Sequence, residues 1–150
     1  MNLVFFDLET QNLLQDVGGR SGIDKLRLSC GVTFSTERID FAVYWEKDVL
    51  ALIEELKEAD RVIGFNLIGF DYQVLRPYAP TFNFASLRTL DLLQDIHRTL
   101  GFRLSLDAIA EASLGATKSA DGLKAVEWFR AGELEKVAEY CKMEDRKSVV

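Results

Sequence analysis

A mixed α/β fold is what this chain predicts: a five-stranded sheet, three antiparallel strands and then parallel ones, flanked by helices. Three observations carry that expectation. The first 45 residues hold three short apolar or alternating runs separated by turn residues. Two further short apolar runs follow, each adjoining a helical segment. The last third of the chain is helical in its spacing throughout.

Leu3 to Leu8 is an apolar run interrupted by Asp7, as in a central strand. A Gly/Ser-rich loop is expected from Asp16 to Gly22. Leu26 to Phe34 and Arg38 to Trp45 alternate, and Ser35-Thr36-Glu37 between them reads as a hairpin turn. Asp48 to Ala59 has Val49, Leu52, Ile53 and Leu56 at helical spacing, with Asp48 as the expected N-cap. Arg61 to Phe65 reads as a short buried strand. Asp71 to Arg76 begins a helix that must end before Pro77, because the residue before a proline is pushed out of the helical region. Arg88 to Leu92 is the last expected strand. Helices follow at about Leu92 to Leu100, Ser105 to Leu114, Gly122 to Ala131 and Glu133 to Val149. Ser105 caps the second of these, which buries Leu106, Ile109 and Ala110.

The 150 residues fit one domain, 1–150. With 48% hydrophobic and 28% charged residues, the composition excludes disordered, collagen-like and coiled-coil classes. Two cysteines, Cys30 and Cys141, make no disulfide framework. With His97 as the only histidine, soft ligands are too few for a structural zinc site, which needs about four. Metal chemistry here must rest on carboxylates. Met1 to Glu9 lacks the basic start of a signal peptide, and no apolar run approaches the ~20 residues of a membrane helix, so a reducing cytoplasm is the expected location. The net charge of −6 argues against a nucleic-acid binder, except where clustered acids hold divalent cations that reverse the local field.

Asp7 and Glu9 lie two apart on a strand and so share a face. They repel one another unless a cation sits between them; the blander reading is a strand that ends near Leu8 with both acids solvated. Asp71 closes the segment Gly64 to Asp71, G-F-N-x-x-G-F-D, directly after a buried strand. Asn66 or Asp71 as a simple helix cap is the alternative. Tyr140 precedes Glu144 by four residues and Asp145 by five on the final helix, where a charged solvent face is the ordinary explanation.

Taken in order, these segments resemble the motifs of the DEDD superfamily of 3′–5′ exonucleases, which have a ribonuclease H-like fold. Phe5-Phe6-Asp7-Leu8-Glu9-Thr10 resembles the first motif, and Asn66, Phe70 and Asp71 match N-x-x-x-F-D, the second. Tyr140 to Glu144 resembles the third motif of the tyrosine (DEDDy) branch, Y-x-x-x-D, with Glu144 where the family has Asp. The likeness extends to the exonuclease domains of family-B polymerases.

The resemblance implies that Asp7, Glu9 and Asp71 ligate two divalent metals. The fourth carboxylate is open between Glu144 and Asp145. Glu144 shares a helix face with Tyr140, whereas Asp145 is turned about 100° further round. Asp145 lies at the spacing of the histidine branch, H-x-x-x-x-D, with Tyr140 in the histidine position, and has the family's acid side chain, Glu being one methylene longer. Oxygen ligands suit Mg²⁺ or Mn²⁺ rather than zinc, and two such ions can hold the attacking and leaving oxygens of an in-line displacement. Tyr140 would orient the attacking water, its alternative being a buried structural tyrosine.

Asn66, Phe70 and the backbone near Leu8 and Thr10 resemble positions that touch the terminal nucleotide, although Phe70 is equally at home in the core. Lys118 and Lys124 could meet phosphates or be merely solvated, and His97 reads as a surface residue. The implied activity is release of nucleoside 5′-monophosphates from single-stranded 3′ ends of DNA or RNA. The rival is a catalytically impaired module of the same fold that binds nucleic acid or a protein partner, such as a helicase or polymerase subunit. A cruder rival is an acidic interaction protein with chance motif matches.

Overall fold

The computed structural model of this chain describes residues 1–114 and 122–149. Strand β1 (Leu3–Thr10) runs through the middle of a five-stranded sheet. It pairs antiparallel with β2 (Leu28–Ser35), which pairs antiparallel with β3 (Asp40–Trp45). On its other side β1 runs parallel to β4 (Arg61–Gly64), and β4 parallel to β5 (Thr89–Asp91). The order β3-β2-β1-β4-β5 is the expected mixed sheet, three antiparallel strands and then parallel ones.

Alternation along β1 assigns its side chains to two helical layers. Val4, Phe6 and Leu8 are buried in one core, beneath α1 (Val49–Glu58) and α2 (Tyr72–Leu75). Val49, Leu52, Ile53 and Leu56 of α1 all enter that core, as their spacing predicts. The opposite face carries Phe5, Asp7 and Glu9. There Cys30 and Val32 of β2 pack against Val137, Ala138 and Cys141 of α6 (Leu134–Val149), with Trp128 of α5 (Gly122–Arg130) at the margin. Helices α3 (Leu92–Leu100) and α4 (Leu106–Leu114) complete the chain. Ser105 caps α4 as expected, its hydroxyl accepting from the Ala108 N–H at 3.1 Å. Ala110 is buried, and Leu106 and Ile109 are half-buried.

Three local expectations are refined. Asp48 stands at the N-cap position of α1 as expected but makes no side-chain cap bond; its carboxylate accepts from the Trp45 N–H within a 3-10 turn over Glu46–Asp48. The Gly/Ser-rich loop expected at Asp16 to Gly22 lies between and within 3-10 turns over Leu14–Val17 and Arg20–Lys25. The helix expected at Asp71 is preceded by a π-helical turn, Leu67–Asp71, so the chain coils through that region before α2. Pro77 ends the regular helix as predicted, and Arg76–Tyr78 continues only as a 3-10 turn.

Candidate active site

Asp7 and Glu9 sit on β1 opposite Val32 and Cys30 of β2, and the strand continues to Thr10 rather than ending between them. Their shared face is covered by α6. A carboxylate oxygen of each acid and the Cys141 sulfur lie within 4.8 Å of one another. The Cys141 thiol donates to Asp7 Oδ2 at 3.6 Å and to the Asp7 carbonyl at 3.5 Å.

Asp71 arrives from the other direction, at the end of the π-turn after β4. It is 3% exposed, and its Oδ1 has no hydrogen-bond partner. Neither Asn66 nor Asp71 caps the following helix with its side chain. Asn66 adopts a left-handed backbone (φ 59°), which asparagine tolerates better than most residues. A Cβ on Gly69 would meet Asn66 Oδ1 at 2.6 Å, so the turn closes tightly on itself.

The electrostatics are those of acids forced together. Burial, and then the charge of Glu144, pushes the Asp7 carboxyl up to about 8. Burial holds Glu9 well above the ordinary carboxylate range, with Asp7, Glu144 and Asp71 adding to the rise. Asp71 is raised in the same way, by burial first and by Asp7 second. Desolvation and mutual repulsion both disfavour the ionised forms. A cation reverses both effects, so the donor set and the unpartnered oxygen of Asp71 fit divalent metal binding.

Tyr140 lies nearly buried on α6, its ring edge-to-face with Trp128 at 6.2 Å. Burial raises its phenol, and the charges of Glu9, Glu144 and Asp7 raise it further, so it keeps its proton. Glu144 accepts from Lys147 Nζ at 2.7 Å, and the same ammonium also donates to Asp107 of α4. Burial works against the Lys147 charge, but its bonds to these two carboxylates outweigh that and raise its pKa. Asp145 points elsewhere: it is fully buried, and neither oxygen has a hydrogen-bond partner. Burial, then the charge of Asp7, pushes it up to about 9.

Beside the acids opens a cavity of about 410 Å³ lined by Leu8, Glu9, Thr10, Phe70, Leu123 and Val126, among others. Phe70 is half-buried, facing this space while also packing on the core. Asn66 is not among the lining residues, and the Thr10 hydroxyl is engaged with the Asn12 carbonyl at 2.8 Å. Lys124 pairs with Glu127 at 3.2 Å, Lys118 lies outside the described residues, and His97 is exposed on α3, as expected of a surface residue.

The structure therefore places Glu9, Asp71, Tyr140, Glu144 and Asp145 all within electrostatic reach of Asp7, with Asp145 fully buried. Sequence reasoning missed Cys141, Lys147 and Asp91. For the first two no local pattern signals the role, because their partners are remote in sequence. Asp91 carried a usable signal, an acid at a strand-to-helix junction.

No curated protein sequence matches this chain at a significant level. Among solved structures, it is similar to the family B DNA polymerase of the hyperthermophilic archaeon Pyrobaculum calidifontis. The two share 15% identity at a TM-score of 0.73, over 99% of this chain. The match spans 24% of the polymerase chain, about a quarter of its length. The RNase H superfamily model matches residues 4–149. With that coverage and this sheet order, the chain belongs to the RNase H superfamily.

Proposed function

We propose that this chain is a metal-dependent 3′–5′ exonuclease of the tyrosine branch, acting as a single domain. Its substrates are single-stranded 3′ ends of DNA or RNA, and it releases nucleoside 5′-monophosphates. The observation that carries the reading is the clustering of Asp7 and Glu9, with carboxylate oxygens within 4.8 Å of one another beside an apolar cavity, together with the buried, unpartnered oxygen of Asp71. Superfamily membership supports a nuclease-type function.

Asp7, Glu9, Asp71 and Glu144 would hold two Mg²⁺ or Mn²⁺ ions. Glu144 is preferred to Asp145 because its charge acts on both Asp7 and Glu9, whereas Asp145, fully buried, interacts with Asp7 alone of these two. When bound, such ions supply an activated water and neutralise charge on the phosphate. The chain's own residues supply position. β1, paired on both sides, holds Asp7 and Glu9 at fixed spacing. Tyr140, kept protonated, donates a hydrogen bond that orients the attacking water. Phe70 and Leu123 offer apolar surface to the terminal base, a contact worth ~1–3 kcal/mol when aromatic. The backbone at Leu8 and Thr10 borders the same space, and Asn66 shapes the turn that presents Phe70.

A second reading has one observation in its favour: Glu144 replaces the family's Asp and is engaged by Lys147. It makes the chain a binding module for nucleic acid or for a helicase or polymerase partner. No helix among the described residues is long and apolar enough to cross a membrane. Both cysteines are free, which suits a reducing cytoplasm.

The test is degradation of 5′-labelled single-stranded DNA and RNA with Mn²⁺, Mg²⁺ or EDTA, beside Asp7→Ala. A metal-dependent ladder shortening from the 3′ end, lost in Asp7→Ala, is the expected result. Metal binding without cleavage of either substrate would favour the binding module.

A further inference from the structure

We propose that Asp91, at the end of β5, is a positioning residue that sets Asp71 and Phe70 in the site by holding the backbone of the Asn66–Asp71 turn. The inference rests on the nuclease reading above for its catalytic consequence, and on geometry alone for the rest.

Asp91 is 5% exposed and lies beside Gly64 in the β4–β5 ladder, where the chain leaves β4 for the π-turn. Its Oδ1 accepts from the Asn66 N–H at 2.8 Å and its Oδ2 from the Ile68 N–H at 3.0 Å. The two oxygens thus clamp alternate amides at the start of the turn. Oδ1 also accepts from the Leu93 N–H at 3.1 Å, which caps α3. A buried carboxylate that accepts three backbone N–H groups forms charge-assisted bonds, the stronger class.

The turn needs such a clamp. A non-glycine residue at φ 59° is sparsely populated, and a π-turn is a rare conformation. From the clamped amides the chain closes through the Phe70 N–H donating to the Asn66 carbonyl at 3.0 Å. Gln73 Nε2 donates to the Ile68 carbonyl at 3.1 Å. Asp71 is the next residue, and its Oδ1 is left without a partner. That oxygen is available only while the turn holds its shape. A cap of α3 alone would need one oxygen on Leu93; Asp91 uses both, and two of its three bonds go to the turn.

The experiment compares the whole chain with Asp91→Ala and Asp91→Asn. The readouts are Mn²⁺ affinity by calorimetry, amide hydrogen exchange, and kcat and KM on labelled DNA. Asp91→Ala is expected to speed exchange at Asn66 and Ile68 and to weaken Mn²⁺ binding by about 10–100-fold, the range for loss of an outer support of a metal ligand. kcat should fall more than KM rises. Asp91→Asn keeps an acceptor toward Asn66 and Leu93 but turns an NH₂ toward the Ile68 N–H, so its losses should be intermediate. Should Asp91→Ala fail to fold, the isosteric Asp91→Asn decides by the same readouts. Faster exchange at Leu93 alone, with Mn²⁺ affinity unchanged within about twofold, overturns the proposal and leaves Asp91 as a helix cap. If the unaltered protein cleaves nothing, the nuclease reading fails, while exchange and Mn²⁺ affinity still decide the role of Asp91.

Discussion

Glu144 and Asp145 are neighbours in sequence with opposite surroundings: Glu144 accepts from Lys147 at 2.7 Å, and Asp145 is fully buried with both oxygens unbonded. The helical turn of about 100° per residue separates them. Glu144 faces the acids of β1, and Asp145 is pressed beneath the helix.

This separation predicts different consequences for two isosteric changes. Glu144→Gln should weaken Mn²⁺ binding and lower the cleavage rate on the order of 10²–10³-fold, the equivalent of a few kcal/mol of transition-state stabilisation. Asp145→Asn should leave the rate within a few-fold, because the acid it replaces already carries a proton near neutral pH. Single-turnover rates and calorimetric Mn²⁺ titrations of the two variants check this. The reverse ranking would make Asp145 the fourth ligand.

Asp7, half-buried, and Asp145, fully buried, make the metal-free protein pH-sensitive. Asp7 is raised from 3.8 to about 8 and Asp145 from 3.8 to about 9, both chiefly by burial. Between those values the folded state binds protons that the unfolded chain has released. Stability from these groups is therefore complete below about pH 4 and is lost as pH rises toward 9, by at most about 1.4 kcal/mol per pH unit for each group. Melting in EDTA should show a lower Tm at pH 9 than at pH 6. Adding Mn²⁺ should raise Tm, and more so at the higher pH, because the ion binds ionised Asp7.

Tyr140 should act without ionising. Its phenol is raised above its usual value of 10.0, by burial first and by Glu9, Glu144 and Asp7 next. Tyr140→Phe should cost about 10–100-fold in rate, as for loss of one buried hydrogen bond in the transition state. The alkaline side of the pH–rate profile should keep its shape, measured from pH 6 to 10 in both proteins. A limb that vanishes with the hydroxyl would mean that the tyrosine titrates.

Gly64 is fixed by close approach rather than by its backbone angle. A Cβ there would meet the Phe6 carbonyl oxygen at 2.6 Å and the Leu67 side chain at 2.7 Å. Gly64→Ala should destabilise the fold by ~1–3 kcal/mol, as overpacking does, lowering Tm by about 2–4 °C per kcal/mol. Thermal denaturation by circular dichroism measures it.

Much of this was legible in the sequence, and the reasons are local. The two-residue period of β1 places Asp7 and Glu9 on one face whatever packs over them. The spacing of Val49, Leu52, Ile53 and Leu56 gives α1 its buried side. Positions that depend on distant partners were not legible. Cys141 meets Asp7, Lys147 joins Asp107 to Glu144, and Asp91 reaches back to Asn66 and Ile68. Asp48 takes the N-cap position its sequence context predicts, but its side-chain bond was not legible, because acids near a helix start have several bonding options and here the Trp45 N–H took precedence. The π-turn before α2 has no periodicity of its own to read, being a single turn.

The contact between Cys141 and Asp7 joins residues 134 apart in the chain. Loop closure over such a separation comes late and slowly, because its entropic cost must be met before the contact repays it. Cover for the acids of β1 therefore arrives only when α6 docks, so the loop that costs most to close is the one that encloses them.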